Sequence, residues 1–177
     1  MKRKMKRLIM INDLIDLIKL QSKNIEHYKQ YPIALLFFIM LLLEVPSTFL
    51  SEKGDSSISY LLTYNLAITF VFTFIEAIFF VYWYGRIGKK YSFLTFLHYD
   101  AMLTIAASIP VIGILLVMQS FTSLPWVGII GLLAATLYVI YMFIANLAKA
   151  TSSSKKYAFF AILIVAMFQI IPEYIFL

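Results

Sequence analysis

Long apolar runs with almost nothing between them dominate this chain. After Pro32, IALLFFIMLLLEVPSTFL, ISYLLTYNLAITFVFTFIEAIFFVYWY and three further stretches follow one another, and no polar segment between them exceeds about ten residues. A helix needs about 20 mainly apolar residues to cross the hydrocarbon core. Runs of that kind lie at 32–50, 58–84, 93–118, 125–147 and 157–177. A soluble fold has too little polar surface to cover them. Charged residues make up 14% of the 177 and hydrophobic ones 62%, where a soluble domain carries about 25% charged. Spanning strands would alternate with a period of two, which these unbroken runs lack. The sequence therefore predicts an all-α polytopic bundle of five transmembrane spans at 31–177. Residues 1–30 form a basic tail and an amphipathic helix ahead of it.

The distribution of basic residues predicts the orientation. Lys2, Arg3, Lys4, Lys6, Arg7, Lys19, Lys23 and Lys29 precede the first span, and Lys53 alone falls in the first loop. Arg86, Lys89 and Lys90 occupy the second loop, and Lys149, Lys155 and Lys156 the fourth. In a five-span chain, 14 of the 15 basic residues share one face, which the positive-inside bias makes cytoplasmic. The N-terminus is then inside and the C-terminus outside a cytoplasmic membrane. The net charge of +6 is juxtamembrane. It points to anionic lipid headgroups as partners rather than to nucleic acid.

Ahead of the first span, Ile11, Leu14, Ile15, Ile18 and Ile25 recur at helical spacing among Asp13, Asp16, Lys19, Lys23 and Glu26. This pattern predicts an amphipathic helix over 11–26 lying along the cytoplasmic leaflet. The Asp13–Asp16 spacing falls on its polar side, where a solvated face is the simplest expectation.

Ionisable groups at membrane depth usually face a bundle interior or a cavity. Counting about 1.5 Å per residue, Glu76 and Asp100 lie roughly 12 and 10 Å from the cytoplasmic ends of consecutive antiparallel spans, with His98 about 3 Å shallower. If they face each other, both will not stay ionised. The pair then reads either as a proton- or cation-binding site, with His98 as relay or hydrogen-bond partner, or as a structural network with Tyr hydroxyls. Glu44 and Asn65 form a looser pair at the outer side, and Gln169 and Glu173 lie on the last span. Pro46, Pro110 and Pro172 interrupt spans, and Ser108 and Thr104 are the groups expected to repair the hydrogen bond lost at Pro110. Gly128, Gly131, Ala134 and Ala135 suit close helix packing or dimerisation. Tyr82, Trp83, Tyr84 and Tyr91 read as an inner aromatic belt, with Trp126 at the outer interface.

Enzyme motifs are absent from the sequence. There is no HExxH, GxSxG or Gly-rich phosphate loop, His27 and His98 are far apart, and the chain has no Cys. No catalytic residue, metal site or cofactor is predicted.

The layout resembles the Yip1-domain family of integral membrane proteins, in its compact prokaryotic form. The resemblance runs through NDLIDLIKL, Pro32, YSFLTFLHYDAMLTIAASIPVIGILL and LPWVGIIGLLAATLYVIYMFIANLAKATSSSKKYAFF to the final helix. It implies about five closely spaced helices and a non-enzymatic scaffolding, trafficking or membrane-organising role. In eukaryotic members that role is tied to Golgi and endoplasmic-reticulum vesicle traffic and to Rab-type GTPases. It implies no particular site residues. Two alternatives come from the embedded carboxylates. One is a small oligomeric transporter, a proton- or cation-coupled permease using Glu44, Glu76 and Asp100. The other is an intramembrane lipid-modifying enzyme. Five spans leave no room for a pair of inverted repeats, so a transport role favours a homo-oligomer.

Overall fold

Each apolar run closes its backbone hydrogen bonds within itself, as a chain without strand partners in lipid must. The computed structural model describes the backbone of residues 2–51, 58–120 and 125–176, and the side chains of 9–46, 63, 65–118, 126 and 129–168. The helices are α1 (Lys2–Ile18), α2 (Ile33–Ser51), α3 (Ile58–Gly85), α4 (Phe93–Ser120), α5 (Pro125–Ala150) and α6 (Lys155–Phe176). A 3-10 turn, Ile25–Gln30, lies between α1 and α2. Among the described residues there is no strand.

Among the described residues, three segments are long and apolar enough to cross a membrane: Asn65–Gly85, Phe93–Met118 and Ile129–Ala150, with 21, 26 and 22 residues. Ile33–Pro46 is a shorter apolar helix among the described residues. Outward-facing Val71, Ile78, Leu94, Ile130 and Leu133 are all more than half exposed. An apolar exterior of this kind suits a lipid solvent, since soluble monomers rarely carry large exposed apolar patches.

The central helix is α4, which packs against α1, α2, α3, α5 and the 3-10 turn. Ala101, Met102, Leu103, Ile105 and Ala106 are buried on successive faces of it. A helix apolar all round is what full enclosure requires, and its alanines let neighbouring backbones approach. Pro46 and Pro110 both sit within continuous helix. The carbonyl that Pro110 leaves without a donor belongs to Ala106, four residues back. Ser108 does not repair it: its hydroxyl donates to Thr104 O at 2.9 Å.

The basic loops lie at one end of the bundle. There Tyr91 Oη donates to Thr151 O at 3.4 Å, and Tyr157 Oη donates to Trp83 O. Tyr84 is fully buried against the rings of Phe96 and Tyr157, so it belongs to the core rather than to an aromatic belt. Tyr82 and Trp126 are exposed, at 69% and 74%. Both α3 and α5 stop here in the same way. Lys89 N bonds Tyr84 O and Gly88 N bonds Gly85 O, with Gly88 at φ 77°. Ser153 N bonds Ala148 O and Ser152 N bonds Lys149 O, with Ser152 at φ 50°. These are Schellman caps, which call for a left-handed residue just beyond the helix.

The N-terminal segment departs from the sequence expectation. The helix does not run from 11 to 26. It ends at Ile18, where Gln21 N bonds Asp16 O and Leu20 N bonds Leu17 O, with Leu20 at φ 61°. A third Schellman cap thus turns the chain into the bundle. Leu14, Leu17, Ile25 and Tyr28 join the same core as α4, whereas Ile11 and Ile15 face outward, at 51% and 41% exposed. The apolar side chains of this segment are therefore divided between the bundle and the exterior.

Candidate functional site

Two polar stripes run along facing helices. On α3, Asn65, Thr69, Thr73 and Glu76 recur at intervals of four, four and three residues. On α4, Asp100, Thr104 and Ser108 recur at intervals of four. Such intervals keep each set on one helix face. All except Asp100 line a cavity of about 560 Å³. Glu44 of α2, Val139 and Phe143 of α5 and Val165 of α6 add to its wall, and among the described residues no Lys, Arg or His lines it.

At its inner limit Glu76 meets Asp100. Glu76 is 7% exposed and Asp100 1%, and the two carboxyls are close enough to interact directly. No donor of ordinary hydrogen-bond length reaches either oxygen of Asp100. A buried carboxylate without donors is costly, and two adjoining carboxyls satisfy each other only when one carries a proton. Higher in the cavity, Glu44 accepts a hydrogen bond from Thr69. The distance from Thr69 to Glu76 along α3 is about 10 Å, so the acids occupy two levels.

Three of the hydroxyl protons around this space are already committed. Thr73 Oγ1 donates to Thr69 O at 2.8 Å, Ser108 Oγ donates to Thr104 O, and Thr69 donates to Glu44. Their lone pairs are left as acceptors, beside the acceptor oxygens of the acids.

Beneath the pair, the N-terminal segment fills the basic end. Ser22 N donates to Asn146 Oδ1 at 3.2 Å, and Asn146 Nδ2 donates to Leu17 O at 2.7 Å. Ser22 Oγ lies 3.1 Å from Tyr99 Oη and 3.3 Å from Tyr28 Oη, and Tyr138 Oη donates to Ile18 O at 2.6 Å. Asp13 anchors the segment. Its side chain is wholly buried, with Lys23 Nζ at 2.5 Å and His27 Nε2 at 2.6 Å, and Tyr31 Oη donates to it as well. The expectation of a solvated Asp13–Asp16 face is therefore corrected for Asp13. The sharp turn at Leu20 brings Lys23 and His27 back over it. Burial opposes ionisation of Asp13, but the hydrogen bonds from Lys23, Tyr31 and His27 outweigh it and hold the carboxyl below its ordinary range. The hydrogen bond to Asp13 correspondingly raises Lys23. Burial, and then the bond to Asp13, push Tyr31 well up.

Of the residues singled out from sequence, Glu76 and Asp100 are brought together, and Glu44 and Asn65 line the same cavity. His98 is not positioned as a relay to Asp100. Two residues apart on a helix, the two side chains leave in nearly opposite directions, and the His98 ring bonds back to Leu94 O at 2.7 Å. Ala135 is buried and Ala134 faces outward. A Cβ on Gly131 would stand 3.8 Å from Ile114 of α4, an ordinary contact distance. The surroundings of Gly128 and the side chains of Gln169 and Glu173 lie outside the described residues. Sequence reasoning missed Thr69, Thr73 and the Ser22–Asn146 contact. The first two were legible as the four-residue spacing from Asn65 towards Glu76. The last joins residues 124 positions apart and left no local signal. No protein-family model, no curated protein and no solved structure matches the chain.

Proposed function

We propose that the protein is a small membrane permease that couples the movement of a cation to that of a proton. The observation that carries this is the cavity itself, whose described polar lining is acids, hydroxyls and an amide with no basic residue, and which ends on the Glu76–Asp100 pair. A proton held between the two carboxyls lowers the charge of the empty pair from −2 to −1. A bound cation takes its place, and the competition between them is the coupling. The membrane-organising role implied by the Yip1-domain resemblance rests on chain layout alone and needs no such cavity.

In this reading the chain crosses the membrane five times, with α2 and α6 joining the three helices of spanning length. The N-terminus is cytoplasmic and the C-terminus external, which puts the basic end against anionic headgroups. Ile11 and Ile15 of α1 then meet the lipid surface, while Leu14 and Leu17 hold the helix to the bundle. Several chains assemble, since five spans do not divide into a pair of inverted repeats.

The test is proton movement in proteoliposomes loaded with a pH-sensitive dye. An imposed inward cation gradient should drive proton efflux through the wild type. Glu76→Gln should abolish that efflux while leaving the thermal unfolding transition in place. Proton efflux unaffected by Glu76→Gln would refute the coupled mechanism.

A further inference from the structure

The lining specifies what kind of cation fits. Resting on the permease reading, we propose that the substrate is an organic ammonium ion bearing N–H donors and an apolar body, bound with its head at Glu76. Three observations converge on this. A volume of about 560 Å³ falls within the ~300–1,000 Å³ of small-molecule sites and is far larger than a bare metal ion needs. Much of the wall is apolar, with Phe72, Val139, Phe143 and Val165 among its members, and can bury a hydrocarbon or aromatic body. The polar part of the wall offers acceptors. The protons of Thr69, Thr73 and Ser108 are spent on Glu44 and on backbone carbonyls, so beside the acids acceptors outnumber donors and a ligand head that supplies its own N–H groups is favoured. An ammonium group does so, with a charge opposite to that of the carboxylates.

Binding is an exchange that balances in charge. The ammonium enters, the proton shared by Glu76 and Asp100 leaves to water, and the N–H groups replace it as donors to the carboxylates. A quaternary ammonium of the same shape matches the charge but brings no donor. An anion meets only repulsion, and an uncharged amide offers N–H donors but no charge.

A matched pair of probes separates these contributions. Tryptamine and its N,N,N-trimethyl analogue carry the same indole body and the same charge, but only the first has ammonium N–H groups. Each is titrated by calorimetry into the full chain in lipid nanodiscs, in weak buffer so that released protons are counted. Tryptamine should bind with release of about one proton per molecule. The trimethyl analogue should bind at least about 10-fold more weakly. Glu76→Gln should weaken tryptamine by about 30-fold or more. Thr73→Val is a milder change, and its preserved unfolding transition provides a control that does not touch the acids. It should weaken tryptamine by a few-fold only. Equal binding of the two probes would overturn the role given to N–H donors. If neither binds but sodium ions release protons from the wild type and not from Glu76→Gln, the organic substrate class falls while coupled cation permeation stands. Proton release by no cation would remove both.

Discussion

Asp13 shows how burial changes the meaning of a residue. In the sequence it is one acid of an amphipathic helix, and its neighbours give no sign that Lys23, His27 and Tyr31 converge on it. That convergence depends on the left-handed turn at Leu20, a conformation that bulky side chains rarely adopt. Because the folded Asp13 carboxyl is held below its ordinary value of 3.8, its contribution is complete above that pH and disappears as pH falls through the depressed folded value. The N-terminal segment should accordingly stay docked at about pH 5 and release only in stronger acid, as amide exchange of residues 17–28 would report. Asp13→Asn should speed that exchange at neutral pH, at a cost on the order of 2 kcal/mol, reduced because Lys23 is partly solvated. Unchanged exchange would deny Asp13 its anchoring role. Ser152 makes a second residue-scale test. It occupies a left-handed cap position with φ 50°, so Ser152→Gly should stabilise the protein by roughly 0.5–1 kcal/mol, read as a raised unfolding temperature. A lowered one would mean that the serine side chain contributes more than its backbone strain costs.

At the scale of elements, the helices of the bundle were legible because hydrophobic run length is a strong signal in lipid. The mutual arrangement of the N-terminal elements was not. Periodicity marks Leu14, Ile15 and Ile18 alike as apolar, but it cannot say that Leu14 turns to the bundle and Ile15 away from it. The carboxylate pair was readable for a different reason: antiparallel helices of known rise place equal distances from a common end at equal depth. The cavity needed the hydroxyl stripes as well, and the role of Ser108 was misassigned to Pro110. The divided face of α1 makes a paired prediction. Ile15→Asp should weaken binding of the N-terminal segment to anionic bilayers and leave the unfolding temperature nearly unchanged, because Ile15 faces outward. Leu17→Asp should destabilise the whole bundle by about 3 kcal/mol or more, since it places a charge at a fully buried position. Equal effects of the two on unfolding would show that α1 does not dock as described.

For the whole molecule, topology and chemistry constrain each other. The absence of native cysteine makes single-cysteine variants clean reporters. Cysteines at positions 53, 89, 122 and 153 should label from outside, inside, outside and inside in turn, and external labelling at 153 would contradict five crossings. That topology places the acid-lined cavity towards the external side and the packed N-terminal segment on the cytoplasmic side. The proposed permease then requires the cavity to open to the external phase while the packed N-terminal segment closes the other, as in one half of an alternating-access cycle. All of this depends on whether Glu76 and Asp100 act as one proton-binding unit. The most direct measurement is infrared difference spectroscopy at neutral pH on the wild type, Glu76→Gln and Asp100→Asn in lipid. A C=O stretch from a protonated carboxylic acid should be present in the wild type and should shift or vanish in both variants, because the proton belongs to the pair. Two carboxylates ionised at neutral pH, each indifferent to the loss of the other, would contradict the account.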